Sequence, residues 1–175
     1  MGRNEEGNGG RGRDRRVLVV GIGPGDPEQL TLRAVRALNE TDAVFVVDKG
    51  ESAAELREAR LQLCERVIDP AHSYRVVEAA LDPVSKRGDR PYDEAIAKWR
   101  HERVDAYERL ISGLAPNETG AFLVWGDPAF YDGTLAILDD VRAKDNVEFT
   151  VEVVPGISSV SALAARHGVA LNRAG

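Results

Sequence analysis

From Val17 to residue 154, short apolar runs rich in β-branched residues alternate with longer stretches whose apolar residues recur at helical spacing. This alternation narrows the fold more than any other property, because stacked βαβ units produce it and few other architectures do. RVLVVGI reads as a first strand buried on both faces, followed by a helix with Leu30, Ala34, Ala37 and Leu38 on one side. AVFVVD, residues 43 to 48, is the second expected strand. In SAAELREARLQLCERV a capping box from Ser52 to Glu55 opens a helix that carries Leu56, Ala59, Leu63 and Val67 on one face.

SYRVVEA is the third expected strand, and DPVSKRGDRPYD after it reads as a loop. A long helix is expected from about Tyr92 to Leu114, with Ile96, Trp99, Tyr107, Leu110 and Leu114 toward the core and Arg103 interrupting the stripe. AFLVW, residues 121 to 125, and VEFTVEVV, residues 147 to 154, complete five strands. A last helix starts near Ser158 and stops at His167, with Gly168 as its C-cap.

The fold class that follows is α/β, a mostly parallel five-stranded sheet with flanking helices over residues 17 to 155. Before it, MGRNEEGNGGRGRDRR predicts a disordered arm over residues 1 to 16. After it, residues 156 to 175 predict a linker helix and the start of a second domain that is largely missing, since only VALNRAG follows Gly168.

Charge and cysteine content exclude several function classes. A net charge of −6 and a pI near 5.2 leave no broad surface for nucleic acid. The single cysteine, Cys64, permits neither an internal disulfide nor a cysteine-based metal site, which fits a reducing cytosol. His72, His101 and His167 are too scattered for a metal cluster, and no apolar run is long enough to span a bilayer. The expectation is a cytoplasmic protein with no metal, no membrane and no nucleic acid partner.

Four loops follow expected strands: GIGPGD, VDKG, WGDPAFYDG and VPGISS. In a parallel sheet all four lie at the carboxyl edge, where ligands bind. The first resembles a dinucleotide fingerprint, but Asp26 stands where the third glycine belongs. A carboxylate there repels phosphate and competes for the free N–H groups of the helix start. Asp26 reads as an N-cap, with Pro27 at N1 and Gln29 closing a capping box, while Pro24 fixes the turn between two glycines. Such a loop suits a cofactor that is cationic and lacks phosphate, of which S-adenosylmethionine is the obvious example.

GIGPGDPEQLT, WGDPAFYDGT and VVPGISSVSA, in this order and spacing, resemble the tetrapyrrole methylases, which use S-adenosylmethionine. The resemblance runs from about Val17 to Arg166. FVVDKG and RPYDEAIAKWRHERVDAYERLI look most like the branch that methylates a corrinoid precursor at ring carbon C-1 and releases acetate.

Carried over by position, the resemblance implies cofactor contacts at Pro24, Trp125, Gly126, Asp127, Phe130, Ser158 and Ser159. Gly126-Asp127-Pro128 also reads as a plain turn and Ser158 as a helix N-cap. Asp48 lies near the family's proton-handling acid, one residue out of step, and reads equally as a turn or salt-bridge acid. Lys49 faces a substrate carboxylate or solvent. Lys86, Arg87 and Arg90 form the densest basic patch after the arm and are the first choice to clamp a polycarboxylate tetrapyrrole, a solvated loop being the alternative. The resemblance also admits a homodimer.

Overall fold

The computed structural model describes residues 14 to 48, 54 to 81, 92 to 130 and 132 to 172. Lys49, Ser52, Lys86, Arg87, Arg90 and most of the N-terminal arm therefore lie outside the described residues. β1 (Arg15–Gly21) leads to α1 (Leu32–Leu38), β2 (Ala43–Asp48), α2 (Ala54–Val67) and β3 (Arg75–Ala80). α3 (Tyr92–Ser112), β4 (Thr119–Val124), α4 (Thr134–Ala143), β5 (Phe149–Val154) and α5 (Ser159–His167) follow.

All five strands are parallel, in the order β3-β2-β4-β1-β5. β1 is central because Val17 to Val20 are fully buried, and only a strand covered on both faces can hold such a run. α1 and α2 close one face over Leu18, Val20, Ala34, Leu38, Leu63 and Ala121. α3 and α4 close the other over Val17, Phe45, Tyr107, Ile111, Phe122 and Leu138. On that second face the Tyr107 and Phe122 rings stack at 4.3 Å, and Phe45 meets Phe122 at 4.9 Å.

The chain moves one way across the sheet through α1 and α2, then back through α3 and α4. Right-handed crossovers make this the natural arrangement, since reversing direction transfers the helices to the opposite face. β1 and β2 thus leave toward one face, while β4 between them leaves toward the other.

Several local expectations are corrected. Arg15 and Arg16, expected in the arm, belong to β1: Arg15 Nε donates to the Leu114 carbonyl at 2.9 Å, and Arg16 pairs with Glu40 and Glu152. Ile96 and Leu56 face solvent, and Trp99 is half-buried beneath the Arg103 guanidinium, 4.7 Å from its ring, rather than packed in the core. Leu56, Ile96 and Trp99 all lie in the amino-terminal halves of α2 and α3.

The helix expected after the first loop is two pieces. Asp26 caps a single 3-10 turn, Pro27–Gln29, by accepting from Glu28 N at 2.9 Å. Thr31 then caps α1 by accepting from Ala34 N at 3.0 Å. Leu30 sits in the joint between them, and the Gln29 side chain makes no capping bond: its Oε1 is buried without a partner.

α4 is absent from the sequence reading, although Ile137, Leu138 and Val141 bury one side at helical spacing. Gly168 closes α5 as expected, at φ 60°, with Val169 N donating to Ala164 O and Gly168 N to Ala165 O. α5 leaves Val160 and Leu163 exposed. No described helix is long and apolar enough to cross a membrane.

Candidate active site

The loops after β1, β4 and β5 meet at the carboxyl edge. Gly23 and Gly126 form an isolated antiparallel bridge, with Gly23 N donating to Gly126 O at 3.2 Å and Gly126 N to Gly23 O at 2.8 Å. Both have positive φ, 72° and 69°, which only glycine adopts without strain. The third loop crosses beneath: a Cβ on Gly21 would lie 2.6 Å from Gly156 N and 2.9 Å from Gly126 O. Three backbones come together where side chains do not fit, so the loops behave as one unit.

Asp127 ties that unit together. Its Oδ1 accepts from Ala129 N at 2.8 Å and its Oδ2 from Gly156 N at 3.0 Å. Each oxygen keeps lone-pair capacity beyond these bonds.

The other expected contact residues surround the junction. Pro24 is exposed between Gly23 and Gly25, whose φ is 120°. Phe130 ends the turn after Asp127, its N–H bonded to Asp127 O at 3.0 Å, and its ring is 57% exposed. An exposed phenylalanine beside a tight polar turn is available to pack on a ligand. Ser158 caps α5 by accepting from Ser161 N at 3.1 Å, and Ser159 is exposed in the first turn. The space over Gly126 is bounded by Ser158 and Ser159, each 3.7 Å from where a Cβ would stand.

Trp125 rests half-buried on the α1/α2 side, its ring 3.9 Å from a notional Cβ on Gly25. Its Nε1 is buried without an acceptor, an orphan donor at the edge where a ligand is expected. The junction presents backbone N–H and C=O groups, hydroxyls and an acid, with no lysine or arginine in its three tightly crossed turns. That donor set fits S-adenosylmethionine, which carries an ammonium and a sulfonium but no phosphate.

Of the remaining candidates, Asp48 closes β2 at the same edge. The histidines stand apart: His72 Nε2 donates to Thr41 O at 2.8 Å, His101 lies 3.5 Å from Asp105 on α3, and His167 ends α5. Among the described residues no group of three possible metal ligands exists.

Sequence reasoning missed a second crevice at this edge, between β2 and β4. A cavity of about 130 Å³ opens there, lined by Arg60, Arg103, Tyr107, Asp132 and Thr134 with the strand ends. Burial pushes the Tyr107 phenol above its ordinary range against the opposing effects of its Thr134 hydrogen bond and the nearby Arg103 charge, so it stays protonated. Arg103 interrupting the apolar stripe of α3 was the available signal.

Known proteins resemble this chain in sequence and fold. The family model for Tetrapyrrole (Corrin/Porphyrin) Methylases matches residues 16 to 175. A precorrin-6A synthase [deacetylating] of a Sinorhizobium species is 42% identical over 162 residues, 92% of this chain and 61% of that protein. A precorrin-2 C(20)-methyltransferase of a Sinorhizobium species is 32% identical over 146 residues, 83% of this chain and 55% of that protein. The crystal structure of a cobalamin synthesis related protein (CobF) from Corynebacterium diphtheriae superimposes with a TM-score of 0.73 at 31% identity, covering 93% of this chain and 61% of that one. The chain thus spans between about half and two thirds of these relatives. With the family model matched over residues 16 to 175 and this fold shared with the CobF structure, the chain belongs to the tetrapyrrole methylases.

Proposed function

We propose that the gene product containing this chain is an S-adenosylmethionine-dependent C-methyltransferase of cobalamin biosynthesis. It methylates precorrin-5 at C-1 and releases acetate to give precorrin-6A. The observation that carries this choice of reaction is the 42% identity to a precorrin-6A synthase [deacetylating], against 32% to a precorrin-2 C(20)-methyltransferase.

When bound, S-adenosylmethionine supplies a methyl group made electrophilic by the adjacent sulfonium, and S-adenosylhomocysteine remains. The chain's own task is alignment and exclusion of water. Pro24 and its flanking glycines, the Trp125-Gly126-Asp127 turn, Phe130, Ser158 and Ser159 form the cofactor wall. Asp127 holds the β5 loop in place through Gly156 and offers its remaining lone pairs to the ammonium group. Asp48, at the end of β2, is assigned the proton handling that deacetylation requires. Lys49, Lys86, Arg87 and Arg90 are assigned to substrate carboxylates.

The test is product analysis. The complete gene product, given precorrin-5 and methyl donor, releases one acetate for each methyl transferred. Methylation without acetate would move the protein to a sibling activity.

A further inference from the structure

The turn that carries Asp127 and Phe130 is fixed at its front by the Asp127 bonds to Ala129 N and Gly156 N. Its rear end runs into the start of α4, where less holds the chain. Gly133 stands at the N-cap with no side-chain bond to give, and a Cβ there would meet nothing within 4 Å. The cavity of about 130 Å³ between β2 and β4 borders the same point, with Asp132 and Thr134 in its lining. On that side packing does little to set where α4 begins. The 2.7 Å bond from Thr134 N to Asp132 Oδ1 is local and ties the turn to itself.

A bond to another element comes from Tyr107 on α3, whose hydroxyl lies 3.3 Å from Thr134 Oγ1. Tyr107 is a stiff support for it. The residue is 3% exposed, and its ring stacks on Phe122 of β4 with 18° between the planes. A phenylalanine would fill the same space and keep that stack. Burying a phenol costs free energy unless its hydroxyl is bonded, so the hydroxyl is the part that packing leaves unexplained. Arg103, one turn earlier on α3, gives it a second polar contact, and burial keeps the phenol protonated and able to donate to Thr134.

We propose that Tyr107 is a positioning residue for the cofactor wall: its hydroxyl, acting through Thr134, sets the rear end of the turn after β4 and with it the place of Phe130. This rests on the reading of that turn as part of the S-adenosylmethionine site. Tyr107 is buried and acts through Thr134, not by contact with the ligand. At 3.3 Å the bond is longer than the preferred O–H···O length of about 2.7 to 2.8 Å, so its loss should cost several-fold in affinity and not orders of magnitude.

The experiment uses the complete gene product and two readouts: amide hydrogen exchange over residues 125 to 134 without ligand, and calorimetry with S-adenosylhomocysteine. Tyr107→Phe and Thr134→Val are each expected to speed that exchange and to weaken S-adenosylhomocysteine about three- to tenfold. The double variant should do no more than either single one, because both remove the same bond. Thr134→Ser keeps the hydroxyl and should recover most of both effects. Val141→Ala opens the core under α4 without touching the bond; it should lower the melting temperature and leave both readouts in place, which separates positioning from loss of stability. Unchanged exchange or unchanged affinity in Tyr107→Phe and Thr134→Val overturns the proposal. So do additive losses in the double variant, or a Val141→Ala variant that shifts both readouts as far. A wild type that binds no S-adenosylhomocysteine strikes the cofactor reading instead, and the anchor then stands or falls on exchange alone. Should Tyr107→Phe fail to fold, Thr134→Val and Thr134→Ser decide by the same two readouts.

Discussion

The Asp127 carboxylate receives the backbone N–H of Gly156 at 3.0 Å, so the turn after β4 and the loop after β5 are joined by one side chain. The residue that the family resemblance marks for ligand contact also ties two of the three crossed loops together.

Asp127→Ala is therefore expected to weaken S-adenosylhomocysteine binding by about tenfold or more while lowering stability by roughly 1.5 to 3 kcal/mol, the range for hydrogen bonds to a charged group. Calorimetry and denaturant unfolding on the complete gene product measure the two effects. Unchanged affinity would remove the cofactor assignment.

The glycine crossing predicts a contrast. Gly156→Ala places a methyl group against Gly126 O and the Gly21 backbone, which must separate. Overpacking of this sort costs about 1 to 3 kcal/mol and should disrupt cofactor binding as well. Gly133→Ala, whose Cβ meets nothing within 4 Å, should change stability by less than about 1 kcal/mol. Urea unfolding of the two variants in parallel checks the difference.

Acid should loosen the amino-terminal side of the sheet through a defined pair. Two bonds from Arg75, at 2.7 and 2.6 Å, with help from the Ala115 N–H, hold the Glu118 carboxyl down to about 2. A folded value below the unfolded one means the contribution is complete above the ordinary glutamate range and is lost as pH falls from there toward 2. Melting temperature should drop across that window, and Glu118→Gln should flatten the drop. A variant with the same acid limb as the wild type would contradict the assignment.

Cys64 is buried on α2, and burial, with a smaller effect from Glu65, pushes its thiol up to about 12. The thiolate is the reactive form, so the folded protein should resist thiol reagents at neutral pH and react only after unfolding in urea. Rapid native labelling would show that α2 opens locally.

The order of elements was legible because βαβ units impose two periods on one chain. AVFVVD matched β2 residue for residue, and Gly168 ended α5 where its missing side chain suggested. What sequence could not convey was depth. Ile96 and Leu56 sit at correct helical spacing yet face solvent, because spacing shows which residues share a face and not how far the partner layer extends.

The site was legible in parts. GIGPGD, WGD and VPGISS stood out by composition, but the Gly23–Gly126 bridge and the Asp127–Gly156 bond join positions about a hundred and about thirty residues apart, which no local pattern records. Arg60 lay hidden for the same reason, and Arg103 showed only as a break in its apolar stripe. They approach one cavity from opposite faces of the sheet, and only the strand order β3-β2-β4-β1-β5 brings them together.

That strand order has an evolutionary consequence. Because β4 separates the glycine crossing from the β2/β4 cavity, substitutions on α2 and α3 can re-shape that cavity while the crossing on the other side stays untouched. A lineage built on this sheet can vary one crevice by drift at a few helix positions and keep the other constant.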